Sequence, residues 1–514
     1  MRHAAIAVAA LFGMALADGS AAAEPASPPD GPLQRAGVPR AVKIARTRKI
    51  PACTLFVDAS FTGVSTGTPQ NPYKTIAAAV TAANPGAVIC VAEGVYAESL
   101  APQKPFTLAG GFQSGQEFNV RDSALYVSKA QGNGGSFIRI EDPGPSGGEL
   151  TAIDGFEITG YAQAVYRDIY YSQRFDLTNN FIHDNDCGDT ALAGAGFALN
   201  NVSGTIRGNV FARNRCGRGG AGAMNDSTNE NTVTIVQNLV EDNVGDEPQI
   251  SHGGSLYLFA NRIAIKGNAF VGNTVTGWGG GLYVGAFTGG GQQTTATMSW
   301  NVYRDNRAGG AGGGFFCDDS AKCLSDHEIY DRNCGGNIYL DSGPGGAGPT
   351  VARFDHLTNT RALAVGCDSP GNGVQIDKNN TAADNYSFTN AIFWGNAKNS
   401  DFVASCGAGC GAVKVRVTYS MVRKRYQNGG VSISFGKGIL APTNPLFVSP
   451  NRGNFHLKST FGHWTPAGYV ADAVSSPALA MGDPNGAVDE QPPLAGDRTE
   501  LGAYGNSAEA SYVQ

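Results

Sequence analysis

Hydrophobic and polar positions alternate in short runs along this chain, and no segment has the period of an amphipathic helix. One phrase recurs five times: an asparagine, one apolar residue, a large apolar residue, two free positions and a second asparagine. Its copies begin and end at Asn180/Asn185, Asn209/Asn214, Asn238/Asn243, Asn268/Asn273 and Asn301/Asn306. The first asparagines lie 29, 29, 30 and 33 residues apart. A period of this length predicts a solenoid, in which each repeat buries its apolar face against its neighbours.

Alignment of the repeats on their asparagines predicts the content of one coil. An alternating strand precedes the first asparagine, a second short strand follows it, and a third strand comes after a glycine-rich loop. The coils are therefore expected to stack as parallel sheets. Stacked asparagine side chains hydrogen-bond along the axis and satisfy turn groups, so the asparagine columns are interpreted as structural.

Both ends of the chain resemble a known superfamily. The segments Phe56–Asp58, Asn71–Ile76 and Val91–Tyr96 resemble the N-terminal cap of the pectate-lyase-like superfamily. The segments Asn390–Asn396 and Leu501–Gly505 resemble a common ending of its secreted bacterial members. The resemblance implies an all-β, right-handed parallel β-helix, and the asparagine period predicts ten or more coils of about 29–33 residues. A short helix near Ile76–Ala83 is expected to cap it. Because this architecture carries lyases, hydrolases, epimerases and adhesins, the resemblance is specific for fold and not for activity.

Composition narrows the class of protein. Glycine is abundant (71 residues), charged residues make up only 16%, and the net charge is −6 without basic clusters. Nucleic acid is therefore not expected as the main partner, and the charge leaves open a neutral or cationic ligand, or an anionic ligand held through a metal. The expected partner is a polysaccharide or cell-surface glycan, for the reasons given below, and the protein is expected to be a monomer.

The N-terminus predicts export. Residues 1–23 read as a signal peptide, with a charged start, an apolar core too short to span a membrane, and a small-residue cleavage region. The predicted organisation continues with a Pro-rich basic linker (24–52), a cap with the first coils (53–130), the parallel β-helix (131–405) and C-terminal coils with a terminal segment (406–514). The protein is expected to be secreted or periplasmic.

Export makes the ten cysteines candidates for disulfides. Cys187 and Cys216 each follow the second asparagine of their coil by two residues, which predicts a bridge between adjacent coils. Cys53 with Cys90 and Cys406 with Cys410 are two further expected pairs. The remaining four have no assigned partners: Cys317, Cys323, Cys334 and Cys367. A metal site is the alternative for this set, but their spacing matches no zinc pattern, so disulfides are favoured.

The third strand of each coil predicts an outward column of large side chains. Strand alternation buries pairs such as Leu256/Leu258 and turns the residue between them outward. The expected column is Met224, Tyr257, Tyr283, Phe316 and Tyr339, with Arg218 and Trp278 just before the third strands. An aromatic column is either a platform on which sugar rings stack or a layer covered by a loop or by the C-terminal segment.

Catalytic candidates lie in the loops and at one strand end. His252, with Asp246 and Glu247 in the loop before it, offers acid–base groups for cutting a glycosidic bond. Arg207 and Lys266 both stand two residues before a first asparagine, with the coil of Val236 between them. Two coils separate them by roughly 10 Å, a span that fits a hexose, and lysine can act as the base of a β-elimination. No motif requires a cofactor; Ca²⁺ stays open as a metal that would hold an anionic ligand.

Two functions follow from these patterns. The first is an exported β-helix protein that binds, and as a lyase or glycosidase cleaves, a polysaccharide along the aromatic column. The second is a non-catalytic surface, adhesion or structural solenoid. An open column flanked by charged residues would favour the first function, and a covered column the second.

Overall fold

The computed structural model describes most of the chain after residue 46. The described residues are 47–141, 150–168, 173–188, 192–225, 231–246, 253, 255–259, 262–286, 293–343, 348–364, 367, 371–397, 401–407, 410–424, 426–429 and 431–514. The predicted signal peptide, most of the predicted linker, Glu247 and His252 lie outside these residues.

Three long sheets, with every neighbouring pair of strands parallel, form the walls of the solenoid. Sheet 1 has 14 strands: Leu55–Val57, Ala87–Ala92, Phe106–Phe112, Leu150–Asp154, Gln173–Thr178, Val202–Arg207, Thr232–Val236, Arg262–Lys266, Thr295–Ser299, Lys322–Asp326, Val351–Asp355, Asp384–Thr389, Val413–Thr418 and Ile433–Phe435.

Sheet 2 follows the turn at the end of sheet 1 and has 11 strands: Gly94–Tyr96, Ser128–Gln131, Phe156–Thr159, Phe181–His183, Val210–Ala212, Leu239–Glu241, Ala269–Val271, Val302–Arg304, Ile329–Asp331, Thr358–Thr360 and Ile392–Trp394. Sheet 3 closes each coil with 11 strands: Ile138–Glu141, Val165–Asp168, Phe197–Asn200, Gly222–Asn225, Leu256–Phe259, Leu282–Val284, Phe315–Cys317, Ile338–Ser342, Val374–Lys378, Phe402–Cys406 and Tyr426–Gly429.

Shorter elements complete the fold. A four-stranded parallel sheet joins the two-residue strands Arg215–Cys216, Val244–Gly245, Thr274–Val275 and Arg307–Ala308. An antiparallel pair near the C-terminus joins Phe447–Ser449 to Asn454–Leu457, and the 3₁₀ turns are Pro450–Arg452 and Pro493–Ala495. The architecture is the right-handed parallel β-helix that the sequence predicts, with more than ten coils.

The predicted capping helix runs from Ile76 to Ala82. Its N-cap is Thr75, whose hydroxyl accepts a hydrogen bond from the amide of Ala78. The carboxylate of Glu98 accepts two further amides of the first turn, those of Ile76 at 2.9 Å and Ala77 at 2.7 Å. Ile76 is fully buried, so the helix closes the apolar end of the solenoid.

The asparagine columns are hydrogen-bonded ladders inside the turns. Asn209, for example, donates from Nδ2 to the carbonyl of Leu177 at 2.7 Å and to Oδ1 of Asn238 at 3.0 Å. The first ladder continues from Asn180 to Asn301 and ends on the buried carboxyl group of Glu328, which accepts from Asn301 at 2.8 Å. These contacts give the asparagines the structural role that the sequence predicts.

All ten cysteines form disulfides. The three pairs expected from the sequence are present: Cys53–Cys90, Cys187–Cys216 and Cys406–Cys410. The four cysteines without an assigned partner pair as Cys317–Cys323 and Cys334–Cys367. Cys187 and Cys216 join adjacent coils at a Cα separation of 5.0 Å, as their shared offset from the ladder predicts.

The C-terminal segment packs over the outer face of sheet 2. Phe447, Phe455, Leu501 and Tyr504 form an apolar cluster with outward residues of that sheet that include Val302, Ile329 and Ile392. This layer lies beside the turn between sheets 1 and 2. Among the described helices, none has the length and apolar character needed to cross a membrane.

Candidate functional site

A groove of about 610 Å³ runs across the outer face of sheet 1. It crosses five neighbouring strands, those that end at Lys266, Ser299, Asp326, Asp355 and Thr389. Its floor is built of small and hydroxyl side chains, because the outward positions of these strands carry Ala264, Thr297, Ser299, Ser387 and Thr389. Charged groups stand among them: Lys266, Asp326, Arg353 and Asp355.

One column of sheet 1 supplies most of these charged groups. Parallel register stacks the last outward residue of each strand in the order Asp154, Thr178, Arg207, Val236, Lys266, Ser299, Asp326 and Asp355. Arg207 and Lys266 therefore lie on one column with Val236 between them, as the sequence predicts. Only Lys266 lines the groove; Arg207 lies two coils before it, with Nη2 3.5 Å from Oε1 of Gln237.

Two Asp–His dipeptides form the centre of the site. Asp326 and Asp355 are register partners on adjacent strands, and each is followed by a histidine in a left-handed turn, His327 with φ 55° and His356 with φ 43°. The two imidazole rings stack at 4.7 Å between centroids, and Trp300 stacks on His327 at 4.1 Å. The aspartates are half-exposed toward the groove, whereas His327 and His356 are 5% and 6% exposed.

The histidines converge on the carboxylate of Asp326. Nδ1 of His327 lies 2.9 Å from Oδ1 of Asp326, and Nδ1 of His356 lies 3.2 Å from the same oxygen. Nδ1 of His356 is also 3.5 Å from Oδ1 of Asp355. Burial alone would raise the pKa of Asp326, but the hydrogen bonds with the two imidazoles outweigh it and hold that pKa well below its usual range. Asp326 is therefore an anion across the physiological pH range.

The C-terminal segment contacts the Nε2 atom of both imidazoles, on the side of each ring away from Asp326. Nε2 of His327 lies 2.8 Å from the carbonyl oxygen of Gly505, which can only accept, so Nε2 carries the proton. Nε2 of His356 lies 3.2 Å from Oγ1 of Thr499, whose own proton goes to the carbonyl of Glu500. The sequence Leu501–Gly505, noted above for its resemblance to a family ending, thus packs against the candidate site.

The aromatic column predicted from the sequence is present but covered. Tyr257, Tyr283, Phe316 and Tyr339 are register partners on adjacent strands of sheet 3 and point away from the main core. Tyr283, Phe316 and Tyr339 are only 1%, 2% and 6% exposed. They form a second apolar layer to which Trp278 and Ala311 contribute. Tyr257 stacks on Tyr283 at 4.9 Å.

The placement of Met224 in this column is wrong. The register partner of Tyr257 is Ala223, and Met224 pairs with Leu258. Met224 is accordingly buried in the main core. The sequence alignment misplaced it by one position, and in a strand a shift of one residue moves a side chain to the opposite face.

Arg218 and Asp246 do not line the groove. Arg218 lies over the ring of Tyr257, 5.9 Å from its centroid, at the margin of the aromatic layer. Asp246 forms an ion pair with Arg215. Neither Glu247 nor His252, the partners proposed for Asp246, belongs to the described residues.

Sequence alignment on the ladder missed Asp326, His327, Arg353, Asp355 and His356. The signal was available, since Asp-His recurs at the same offset before the turn in two successive coils. The asparagine that marks this turn is replaced by Glu328 and Leu357 in these coils, so a search for the full asparagine phrase stops at Asn306.

The donor atoms at this site do not fit Ca²⁺. Asp326, His327 and His356 are the one group of three such side chains, within the described part of the chain, whose ligand atoms all lie within 4.8 Å of one another. Ca²⁺ is bound by six to eight oxygen atoms, and two of these three donors are imidazole nitrogens. Nitrogen donors suit first-row transition metals instead.

The fold defines a right-handed parallel β-helix protein. The sequence model of the family described as "Protein of unknown function (DUF1565)" matches residues 61–311, just under half of the chain. No curated protein matches the sequence.

Two solved structures are similar in fold. The crystal structure of pectate lyase Pel9A has 12% identity and a TM-score of 0.40, with 88% of this chain and 97% of that chain covered. The crystal structure of the GH136 lacto-N-biosidase from Eubacterium ramulus has 11% identity and a TM-score of 0.36, with 74% and 68% covered. These similarities concern the fold alone, and the candidate site is inferred from the residues of this chain.

Proposed function

We propose that this protein binds an anionic polysaccharide along the outer face of sheet 1 and cleaves it in the groove beside Lys266. The β-helix fold supports a carbohydrate-related role in general terms. The positive charge of the outer face of sheet 1 is the observation that supports an anionic polysaccharide as the ligand. The charged side chains in the groove are the observation that supports cleavage.

The outer face of sheet 1 is positively charged on a protein with a net charge of −6. The strands from Gln173–Thr178 to Val413–Thr418 present eight cationic side chains outward: Arg174, Arg207, Arg262, Lys266, Lys322, Arg353, Lys414 and Arg416. Three acidic side chains share these positions, Asp176, Asp326 and Asp355. Such a surface attracts a polyanion and rejects a polycation.

The spacing of the charged groups and the hydroxyl groups in the groove support a polysaccharide as the ligand. The strands are about 4.8 Å apart, so Lys266 and Asp326, two strands apart, are separated by roughly 10 Å, a distance that one or two sugar units span. The hydroxyl groups of Thr297, Ser299, Ser387 and Thr389 face the same space and suit hydrogen bonding to sugar hydroxyls.

The charged groups support cleavage by β-elimination. A uronic acid residue requires a base to remove its C5 proton and positive charge beside its carboxylate; the C4–O bond then breaks, and the leaving oxygen takes up a proton. We assign Lys266 as the base, since it lines the groove and is exposed. Arg353, also exposed in the groove, is assigned to the substrate carboxylate, which guanidinium binds in bidentate fashion. Hydrolysis through the carboxylates of Asp326 and Asp355 is the alternative chemistry.

The burial of Tyr283, Phe316 and Tyr339 favours a second candidate, a non-catalytic scaffold. A covered aromatic column cannot stack on sugar rings. The sequence-based argument for a glycan at sheet 3 required an exposed column and therefore no longer applies. The scaffold hypothesis predicts no turnover of any glycan and no effect of Lys266 on ligand retention.

Incubation of the purified protein with polyuronates, sulfated glycans and neutral glycans tests both candidates. Under the proposal only anionic chains are cut, with ultraviolet absorbance of unsaturated products; reducing ends without that absorbance would indicate hydrolysis. Lys266→Met is expected to lower kcat by about 10²–10⁴-fold, the usual contribution of a general base. Lys129→Met is the matched control, since Lys129 pairs with Glu157 at 2.8 Å on the outer face of sheet 2. If the protein retains polyuronate but does not cleave it, the proposal is reduced to a binding module. If the protein shows no retention and no turnover, the result supports the non-catalytic scaffold.

A further inference from the structure

A lysine is buried in a turn that joins sheet 3 to sheet 1. Lys378 ends the sheet 3 strand Val374–Lys378, and the next strand of sheet 1 begins at Asp384. The side chains of Lys378 and Asp384 are both fully buried, and Nζ lies 2.9 Å from Oδ2 of the carboxylate. Lysine is almost never fully buried without a partner, and this lysine has two.

The second partner of Lys378 is the side-chain amide of Asn380. Nζ donates a hydrogen bond to Oδ1 of Asn380, and the backbone amide of Ala382 donates to the same oxygen at 3.1 Å. These two donors fix which end of the amide faces the lysine. The other end, Nδ2, is buried and makes no hydrogen bond with any residue that the structure describes. A buried donor without a partner is unfavourable and rare in folded proteins.

The carboxylate of Asp384 is held in place by groups other than the lysine. Oδ2 accepts hydrogen bonds from the hydroxyl groups of Ser342 at 2.7 Å and Tyr386 at 3.1 Å. Oδ1 accepts the backbone amide of Thr350 at 2.9 Å. A carboxylate that is fixed in contact with a buried amino group is well placed to take a proton from it.

These three side chains have the chemistry needed to join lysine to asparagine. Asp384 takes one proton from the ammonium group of Lys378, and the resulting amine attacks Cγ of Asn380. The Ala382 amide stabilises the negative charge that develops on Oδ1. A second proton passes from Nζ to Nδ2, the Cγ–Nδ2 bond breaks, and ammonia leaves. The third proton of Nζ stays on the new amide, so atoms and charges balance without an oxidant or a cofactor.

We propose that Lys378 and Asn380 form an intramolecular isopeptide bond in the folded protein, with Asp384 as the proton acceptor. The bond replaces a buried ammonium group and an unpartnered NH₂ group by one neutral amide, and so removes two unfavourable features of the unlinked turn.

The link fixes the turn at the edge of the candidate groove. The strand that follows this turn, Asp384–Thr389, supplies Ser387 and Thr389 to the groove. The reaction itself uses none of the groups assigned to polysaccharide cleavage. Its test is therefore independent of the proposed function.

Tryptic digestion of the folded, purified wild-type protein, followed by reduction and mass spectrometry, tests the bond. Trypsin cuts after lysine only where the ε-amino group is free, so a linked Lys378 is not cut. The expected product is one peptide from Ala362 to Lys398, lighter than the calculated mass by about 17 Da, the mass of ammonia. Fragmentation should place the link between Lys378 and Asn380.

Whole-protein mass measurements on variants identify the groups that react. Lys378→Ala, Asn380→Ala and Asp384→Ala are each expected to abolish the loss of ammonia. Asn379→Ala is the matched control, because Asn379 is exposed in the same turn and donates to Asp341 instead. This variant should keep the loss of about 17 Da.

The wild-type digest decides the proposal even if the variants fail to fold. An uncut peptide with the mass loss and the link at Lys378 and Asn380 supports it. Cleavage after Lys378 in most molecules overturns it, whether the mass is unchanged or reduced by a succinimide at an asparagine. A loss of about 18 Da with a link from Lys378 to Asp384 also overturns it, because water and not ammonia would then have left.

Discussion

The hydroxyl group of Tyr283 donates a hydrogen bond to Oδ2 of Asp318 at 2.6 Å, and both side chains are buried outside the main core. This bond fastens the aromatic layer of sheet 3 to the turn that follows it. Burial, and secondarily the neighbouring carboxylate of Asp319, raises the pKa of Asp318 well above its usual range. The aromatic column is therefore part of the folded structure and not an open surface.

Tyr283→Ala is expected to lower the free energy of unfolding by about 3–5 kcal/mol, as for other buried aromatic side chains. Tyr257→Ala, at a half-buried position of the same column, should cost less. Chemical denaturation of both variants measures the difference. Equal small losses, together with weaker glycan retention, would show instead that the column is an open platform.

Asn243→Ala tests the ladder. Nδ2 of Asn243 donates to the carbonyl of Phe211 at 2.9 Å and to Oδ1 of Asn273 at 3.0 Å, and its own Oδ1 accepts from Asn214. Alanine leaves these buried groups unpaired, each at about 1–3 kcal/mol, so a loss above about 3 kcal/mol is expected in denaturant unfolding. Thr234→Ala, which removes an outward side chain from the same coil, is the control and should change stability by less than about 0.5 kcal/mol.

Removal of the Cys187–Cys216 bridge by a double change to serine should cost about 3–4 kcal/mol. The two cysteines are 29 residues apart, and cross-linking a loop of that length restricts the unfolded chain by about this amount. The comparison is the double change to serine at Cys317 and Cys323. Their disulfide closes a loop of only 6 residues, so its removal should cost less. Thermal unfolding measures both. A larger loss at the shorter loop would mean that native packing, and not chain entropy, dominates.

Asp341 should make stability depend on pH. Burial, followed by the nearby carboxylates of Asp377 and Asp319, raises the pKa of Asp341 from its ordinary 3.8 to about 7. Between these values the folded protein holds a proton that the unfolded chain has lost. The contribution of Asp341 to the free energy of unfolding therefore falls as pH rises through this window and is constant above it. Asp341→Asn should flatten the decline between about pH 4 and 7, as measured by denaturant titration at several pH values. A variant with the slope of the wild type would contradict the raised pKa.

The sequence predicted the solenoid and its ladders because their rules are local and repeated. A fixed offset from Asn180, Asn209 and Asn238 was enough to place the turns and to pair Cys187 with Cys216. The position of Met224 was wrong because the glycine-rich loops vary in length, and one residue of slippage inverts a strand.

The candidate site was harder to predict because its coils depart from the repeat. Asp326 and Asp355 follow the same strand pattern as Lys266, but Glu328 and Leu357 replace the asparagine that would have marked their turns. The partners of His327 and His356 lie in the C-terminal segment, more than 140 residues away in sequence. Their proximity is a product of tertiary packing on sheet 2, which no local pattern encodes. Lys266 was predicted because its offset from Asn268 matches that of Arg207 from Asn209.

The most direct measurement of the central claim is the affinity of a polyuronate oligomer for the wild type, for Lys266→Met/Arg353→Met and for Arg213→Met/Arg332→Met. The third protein loses the same charge from the turns that follow sheet 2, where Arg213 and Arg332 pair with Asp184 and Asp305. Hydrogen bonds to charged groups contribute about 1.5–3 kcal/mol each, so the sheet 1 variant should bind at least tenfold more weakly while the sheet 2 variant binds like the wild type. Equal affinities for all three proteins, or equal weakening in both variants, would contradict a polyanion site on sheet 1.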